Sequence, residues 1–130
     1  MTLTPPPLPL LVVDAANVVG SVPDGWWKDR HGAAERLRDR LPAYAAQGID
    51  GLPGPLDLVL VVEGAARGVE SVPGVRVVSA PGSGDDRIVE LVAERGHEEC
   101  VVVTADRELR RRVEEYGARC VGPRTVRGRD

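Results

Sequence analysis

The stretch LVVDAANVVG, residues 11–20, sets the terms on which the rest of the chain is read. It reads as a short buried strand, Leu10 to Val13, that runs straight into the carboxylate of Asp14. Asn17 follows three residues on, and Gly20 closes what reads as a turn. A carboxylate at the end of an apolar strand is the pattern of a phosphate- or metal-handling site on a parallel sheet. It is also the pattern of an ordinary strand-ending turn, because Asp and Asn are common turn residues.

The same pattern recurs down the chain. LDLVLVVEG (56–64) is almost continuously apolar after Asp57, as a parallel strand covered on both faces should be, and it ends in Glu63 before a glycine. CVVVTAD (100–106) is a further strand ending in Asp106, and Val75–Val78 and ARCVG (118–122) supply two shorter ones. Between them lie helical patterns. One begins near Asp29 as N-cap and carries Ala34, Leu37, Leu41, Tyr44 and Ala45 on one stripe, with Pro42 expected to kink or divide it. Another runs from Asp85 to about Arg95 with Ile88, Leu91 and Val92 inward. A third spans Arg107–Tyr116, with Leu109, Val113 and Tyr116 inward and Gly117 as its stop. GSVPDGWWKDR (20–30), GIDGLPGP (48–55) and SAPGSG (79–84) read as loops. Strands alternating with helices predict an α/β fold in three layers, α/β/α, around a mainly parallel five-stranded sheet. On such a sheet Asp14, Glu63 and Asp106 fall at strand carboxyl ends, with Asp85 and Asp86 at a helix start. All five acids then share one edge.

Length and composition narrow the field. The 130 residues suit a single domain, read as a proline-rich lead-in (1–8), a folded unit (9–122) and a basic tail (123–130). No apolar run approaches the ~18 residues of a membrane span, so no membrane association is expected. MTLTPPPLPL is broken by prolines and lacks a basic segment, which argues against a secretion signal. Cys100 and Cys120 lie far apart in apolar contexts and, with His31 and His97, do not make a zinc site by spacing. They read as reduced residues of a cytoplasmic protein. The net charge of −3 speaks against a uniformly basic nucleic-acid surface. Setting aside the five edge acids, however, leaves fifteen acids against seventeen Lys and Arg, a mildly basic remainder.

Singly, each acid has an ordinary explanation. Ser83 to Asp86 has capping-box spacing, acids in a first helical turn are favoured by the dipole, and Asp106 suits an N-cap. The repetition of strand-ending carboxylates is what those explanations leave out. Close carboxylates repel, so a cluster needs a cation, a shared proton or a basic neighbour. Oxygen donors without a Cys or His set favour Mg²⁺ or Mn²⁺ over Zn²⁺. The chain lacks the glycines of a dinucleotide-binding turn, and Ala16 stands where a haloacid-dehalogenase-type phosphatase needs a second Asp.

The succession DAAN, VVEG, GSGDDRIVELV and VVVTADREL resembles the PIN-like nuclease superfamily, in particular its NYN-domain and YacP-like branch. The resemblance covers roughly residues 9–122 and rests on the order and spacing of the motifs rather than on any one of them. It implies a sheet in the order 3-2-1-4-5 and a metal-dependent endoribonuclease using Mg²⁺ or Mn²⁺. In that reading Asp14 and Asp106 are inner metal ligands, with Asp85 or Asp86 and Glu63 completing or orienting the shell. Related members often carry Asp where this chain has Glu63. Asn17 would orient Asp14 or touch substrate, and Thr104 would hold a carboxylate or water. Arg67 and Arg87 are candidates for phosphate contacts or for ion pairs that relieve carboxylate crowding, and Trp26 and Trp27 for base stacking or for closing the core. Arg110, Arg111 and Arg112 read as a solvated helix face. The alternatives are a catalytically silent PIN-like module that binds RNA or a protein, and the toxin of a toxin–antitoxin pair. A homodimer or a protein partner is compatible with either.

Overall fold

The computed structural model describes residues 7–96 and 98–127. Residues 1–6 of the proline-rich lead-in, His97 and the last three residues of the tail lie outside the described residues. β1 (Leu10–Asp14) passes directly into α1 (Ala15–Gly20), and a 3₁₀ turn at Trp26–Lys28 leads to α2 (Arg30–Arg40) and α3 (Pro42–Gln47). A small antiparallel hairpin, β2 (Gly48–Ile49) and β3 (Leu52–Pro53), precedes β4 (Asp57–Val62) and β5 (Arg76–Ser79). The chain continues through α4 (Gly84–Arg95), β6 (Cys100–Val103), α5 (Arg107–Glu114) and β7 (Arg119–Val121). The main sheet is parallel throughout, in the order β5-β4-β1-β6-β7, which is the expected 3-2-1-4-5.

Strand periodicity assigns the two faces. Leu11, Val13, Leu58, Leu60, Val101 and Val103 point to the side covered by α1, α2 and α3. Leu10, Val12, Val59, Val61, Cys100 and Val102 point to the side covered by α4 and α5, where Ile88, Leu91, Val92, Leu109 and Val113 meet them. Both faces are dry, which is why the central strands tolerate no polar alternation. Truncating a wholly buried side chain such as Leu37 should cost about 2–5 kcal/mol.

Several expectations are corrected. Residues 15–20 are a helix rather than a turn, because the Asp14 carboxylate accepts from the Asn17 amide as an N-cap and Ala15 and Val18 have core to bury into. GIDGLPGP is a hairpin and not an irregular loop. Gly48 makes it possible, with φ of 89° and backbone so close that a Cβ would lie 2.3 Å from the Leu52 carbonyl oxygen. The helix after β6 ends at Glu114, so Tyr116 falls past its last turn and is 51% exposed instead of inward. Pro42 divides the helical stretch cleanly, standing at the first position of α3. Residues 123–126 form a 3₁₀ turn whose Val126 is fully buried, so the packed body runs past residue 122. Among the described residues no helix is long and apolar enough to cross a membrane.

Candidate functional site at the carboxyl edge of the sheet

Register builds the site. β1 and β6 pair with Val13 opposite Val103, so the next residues, Asp14 and Thr104, stand side by side at the centre of the sheet. Both point to the α4/α5 face by the alternation that also directs Val12 and Val102 there. Asp14 is 5% exposed and Thr104 is fully buried. The Thr104 hydroxyl donates to Asp14 Oδ2 at 2.9 Å and accepts from the Asp106 amide at 3.1 Å. Asp106 in turn caps α5, accepting from the Leu109 amide at 3.0 Å. One hydroxyl thus links the Asp14 carboxylate to the backbone of Asp106, which caps α5 three residues past the end of β6 instead of ending the strand as expected. Asn17 ties the same junction from the other side, its Oδ1 accepting from the Ala105 amide at 2.8 Å. That bond orients the loop rather than Asp14 itself.

Glu63 ends the neighbouring strand region and reaches across to α4, where its Oε2 accepts from the Gly84 amide at 3.0 Å. Gly84 leaves room for that carboxylate, since a Cβ would lie 3.0 Å from Glu63 Oε1 and would make it shift. Ser83 caps α4 through the Asp85 amide at 3.1 Å. Asp85, at the helix start, feels the charges of Glu63 and Asp106, and Asp14 in turn feels those of Asp85 and Glu63. Burial first, then the charges of Asp106 and Glu63, push the Asp85 carboxyl above the ordinary value, with Arg112 only partly opposing them. Asp14 is pushed up to about 6. Burial is the main cause, and the charges of Asp85 and Glu63 add to it against the Thr104 and Asn17 hydrogen bonds.

The other candidates are placed less centrally. Asp86 turns to α5 and pairs with Arg112 at 2.9 Å. Arg87 lies along its own helix with Glu90 at 3.5 Å and Glu94 at 3.7 Å, so it does not relieve the edge carboxylates. Arg67 is spent on backbone, its Nε donating to the Ala80 carbonyl at 2.7 Å and its guanidinium reaching the Pro81 carbonyl at 3.1 Å. It shapes the loop that presents α4. Of the three successive arginines on α5, Arg111 is solvated, whereas Arg110 donates to the Thr104 carbonyl at 3.1 Å and Arg112 takes Asp86. Trp27 is 54% exposed and Trp26 half-buried, with Arg30 over its ring at 5.3 Å. Arg30 was not among the expected site residues, because Trp26 lies in the turn before the Asp29 cap and no helical spacing links the two. Gly84 was not among them either, because the contact with Glu63 spans twenty-one residues.

The donor chemistry of this edge, carboxylate oxygens with a threonine hydroxyl, fits a hard divalent cation. Carboxylates raised by burial and by one another's charge are what such an ion would relieve. Among the described residues, however, no three or more His, Cys, Asp or Glu side chains stand close enough as they are to share one ion.

Neither a family model nor a curated protein matches this sequence. Solved structures do match its shape. The crystal structure of Rae1 (YacP) from Bacillus subtilis superposes with a TM-score of 0.74 at 20% identity, over 90% of this chain and 70% of that one. A tryptophan-to-leucine mutant of the same protein gives 0.73 at 17% identity, over 92% and 72%. The chain has the PIN-like fold of Rae1 (YacP), the branch that its motifs resemble.

Proposed function

We propose that this protein is a metal-dependent endoribonuclease that hydrolyses RNA phosphodiester bonds at the carboxyl edge of its sheet. The observation that carries the reading is the chain Asp14–Thr104–Asp106. One buried hydroxyl joins the Asp14 carboxylate to the Asp106 amide, and the charges of Asp85 and Glu63 act on the same edge. A purely structural capping residue gains nothing from burial at 5% exposure with its carboxyl raised to about 6. Perturbed carboxyls in this arrangement mark functional edges of parallel sheets. The Rae1 (YacP)-like fold and the order of the motifs support the same reading.

Asp14 and Asp106 would hold Mg²⁺ or Mn²⁺, with Asp85 and Glu63 adjusting the shell. When bound, the ion supplies a Lewis acid for the phosphoryl oxygen and lowers the pKa of an attacking water. The chain's own work is positional. Thr104 ties the Asp14 carboxylate to the Asp106 amide, Asn17 fixes the Ala105 amide and with it the loop bearing Asp106, and Glu63 anchors the helix start that delivers Asp85. Asp86 sits one turn position aside, in reach of substrate only if its pairing with Arg112 opens. A cytoplasmic setting, where thiols stay reduced, is in keeping with free Cys100 and Cys120.

The second reading is a PIN-like module that binds RNA without cutting it. The absence, among the described residues, of three acids close enough to share an ion favours it. Labelled single-stranded RNA incubated with Mn²⁺ or with chelator, beside Asp14→Asn and Asp106→Asn, separates the two. The nuclease reading expects cleavage with Mn²⁺ alone and none in either variant while both stay folded. Cleavage that survives chelator, or both substitutions, overturns it, and Mn²⁺-independent RNA binding without cleavage favours the binding module.

A further inference from the structure

Three successive arginines of α5 meet three different fates. Arg111 grips Glu108 of its own helix with two donors, and Arg110 gives its Nε to the Thr104 carbonyl. Arg112 leaves its helix, and its Nη2 reaches Asp86 Oδ1 at 2.9 Å in the first turn of α4. We propose that Arg112 binds substrate at the acidic edge, its guanidinium holding a phosphate oxygen of the RNA. Asp86 keeps that guanidinium in place until the phosphate arrives, then yields it. The proposal rests on the nuclease reading of the edge, adds a phosphate contact to it, and makes Asp86 a positioning residue instead of a metal ligand.

Placement is the first support. Side chains on a helix lean toward its amino end, so Arg112, in the last turn of α5, points back toward the end capped by Asp106. It meets α4 at Asp86, one residue along from Asp85, and its charge opposes the rise that burial, Asp106 and Glu63 impose on the Asp85 carboxyl. Donor count is the second support. A guanidinium carries five N–H donors, and among the described residues only Nη2 of Arg112 has a hydrogen-bond acceptor. The remaining N–H groups suit the two-pronged contact that a phosphate makes. The third support is ease of exchange. The side chains of Arg112 and Asp86 are 33% and 70% exposed, and ion pairs in such settings contribute little to stability, so a phosphate can displace Asp86. Charge balance is the fourth. Asp14, Glu63, Asp85 and Asp106 repel an approaching phosphodiester, and a cation held beside them offsets that repulsion where the phosphate has to sit. The protein alone sets this arrangement, so the contact does not wait for a metal.

Binding of a short labelled RNA, followed by fluorescence anisotropy with chelator present over a series of salt concentrations, tests it. Arg112→Gln and Arg111→Gln remove the same charge from the same helix. For Arg112→Gln the proposal expects affinity about tenfold lower, the loss of one charge-assisted contact. It also expects the plot of log Kd against log salt to be shallower by about 0.7–0.9, the share of one phosphate. Arg111→Gln should keep the slope of the parent. Arg112→Lys should keep that slope and lose part of the affinity, because an ammonium has the charge without the planar fork. Asp86→Asn, which removes the competing carboxylate, should bind at least as tightly as the parent. No binding by the parent, or one slope shared by the parent and Arg112→Gln, overturns the proposal. So does an equal weakening by Arg112→Gln and Asp86→Asn, the result of a pair that only clamps α4 to α5. The two readings fail separately. A shallower slope for Arg112→Gln in a protein that never cleaves RNA keeps the contact and removes the nuclease. Mn²⁺-dependent cleavage with the same slope and the same KM in parent and Arg112→Gln keeps the nuclease and removes the contact.

Discussion

The two edges of the sheet treat their carboxylates in opposite ways. At the amino edge, Asp57 opens β4 between two arginines, Arg95 from α4 and Arg76 at 3.4 Å from β5. Arg95 is tied further to the Leu8 carbonyl at 2.7 Å and to Glu98 at 3.3 Å. At the carboxyl edge, Asp14 is more deeply buried and receives only a hydroxyl and a backbone amide, while its charged neighbours Asp85 and Glu63 share its sign. One acid is neutralised within the fold, and the other has charged neighbours of its own sign, as the proposed metal site would have. Burial without a counter-charge lowers stability, so its presence at one edge and not the other supports the proposed site.

The comparison can be broken most decisively through activity. Asp14→Asn and Asp106→Asn should each reduce RNA cleavage to assay background, whereas Asp57→Asn should leave the rate within a small factor of the parent. Equal losses from Asp14→Asn and Asp57→Asn would erase the distinction between the edges.

Stability should respond in the opposite sense. Asp14 titrates near 6 in the folded chain against an ordinary 3.8, so the fold favours its protonated form. This contribution is fully present below about pH 4 and is lost as pH rises through 6, a difference of roughly 3 kcal/mol at neutral pH. Without divalent metal, Asp14→Asn should therefore be more stable than the parent at pH 7.5 by about 1–2 kcal/mol. The remainder is given back because an amide NH₂ must face one of the two present donors. The gain should vanish near pH 4, which denaturant unfolding at both pH values checks. Asp57→Asn should instead lose about 2 kcal/mol, since it strips a charged partner from the half-buried Arg95.

Smaller effects sharpen the picture. Thr104→Val keeps shape but removes the hydroxyl that donates to the Asp14 carboxylate and accepts from the Asp106 amide. It should cost about 1–2 kcal/mol and lower cleavage roughly tenfold, by analogy with groups that orient metal ligands. Gly84→Ala presses a methyl toward Glu63 Oε1, the far end of a flexible side chain. Its stability change should stay within about 0.5 kcal/mol, with a measurable fall in cleavage if the Glu63 carboxylate has to stay where it is.

Much of this was legible in the chain itself because parallel strands buried on both faces announce themselves as apolar runs, and Asp14, Glu63 and Asp106 end those runs. The sheet order came with the family resemblance rather than with periodicity, which says nothing about which strands are neighbours. Residues 15–20 were misread because AANVVG has β-branched valines and a closing glycine, and the Asp14 cap that makes it helical is indistinguishable in sequence from a turn. The arginines were the least legible. Arg67 on loop carbonyls, Arg87 on its own helix and Arg30 on Trp26 are choices made by tertiary neighbours among many acceptors of equal local appeal.

Thermal unfolding of the parent, Asp14→Asn and Asp57→Asn, each with saturating Mn²⁺ and with chelator at pH 7.5, tests the uncompensated carboxyl edge most directly. Binding to the folded state alone raises the midpoint. The account predicts a Mn²⁺-dependent rise in the parent and in Asp57→Asn, and none in Asp14→Asn. A rise of equal size in Asp14→Asn, or none in the parent, would contradict it.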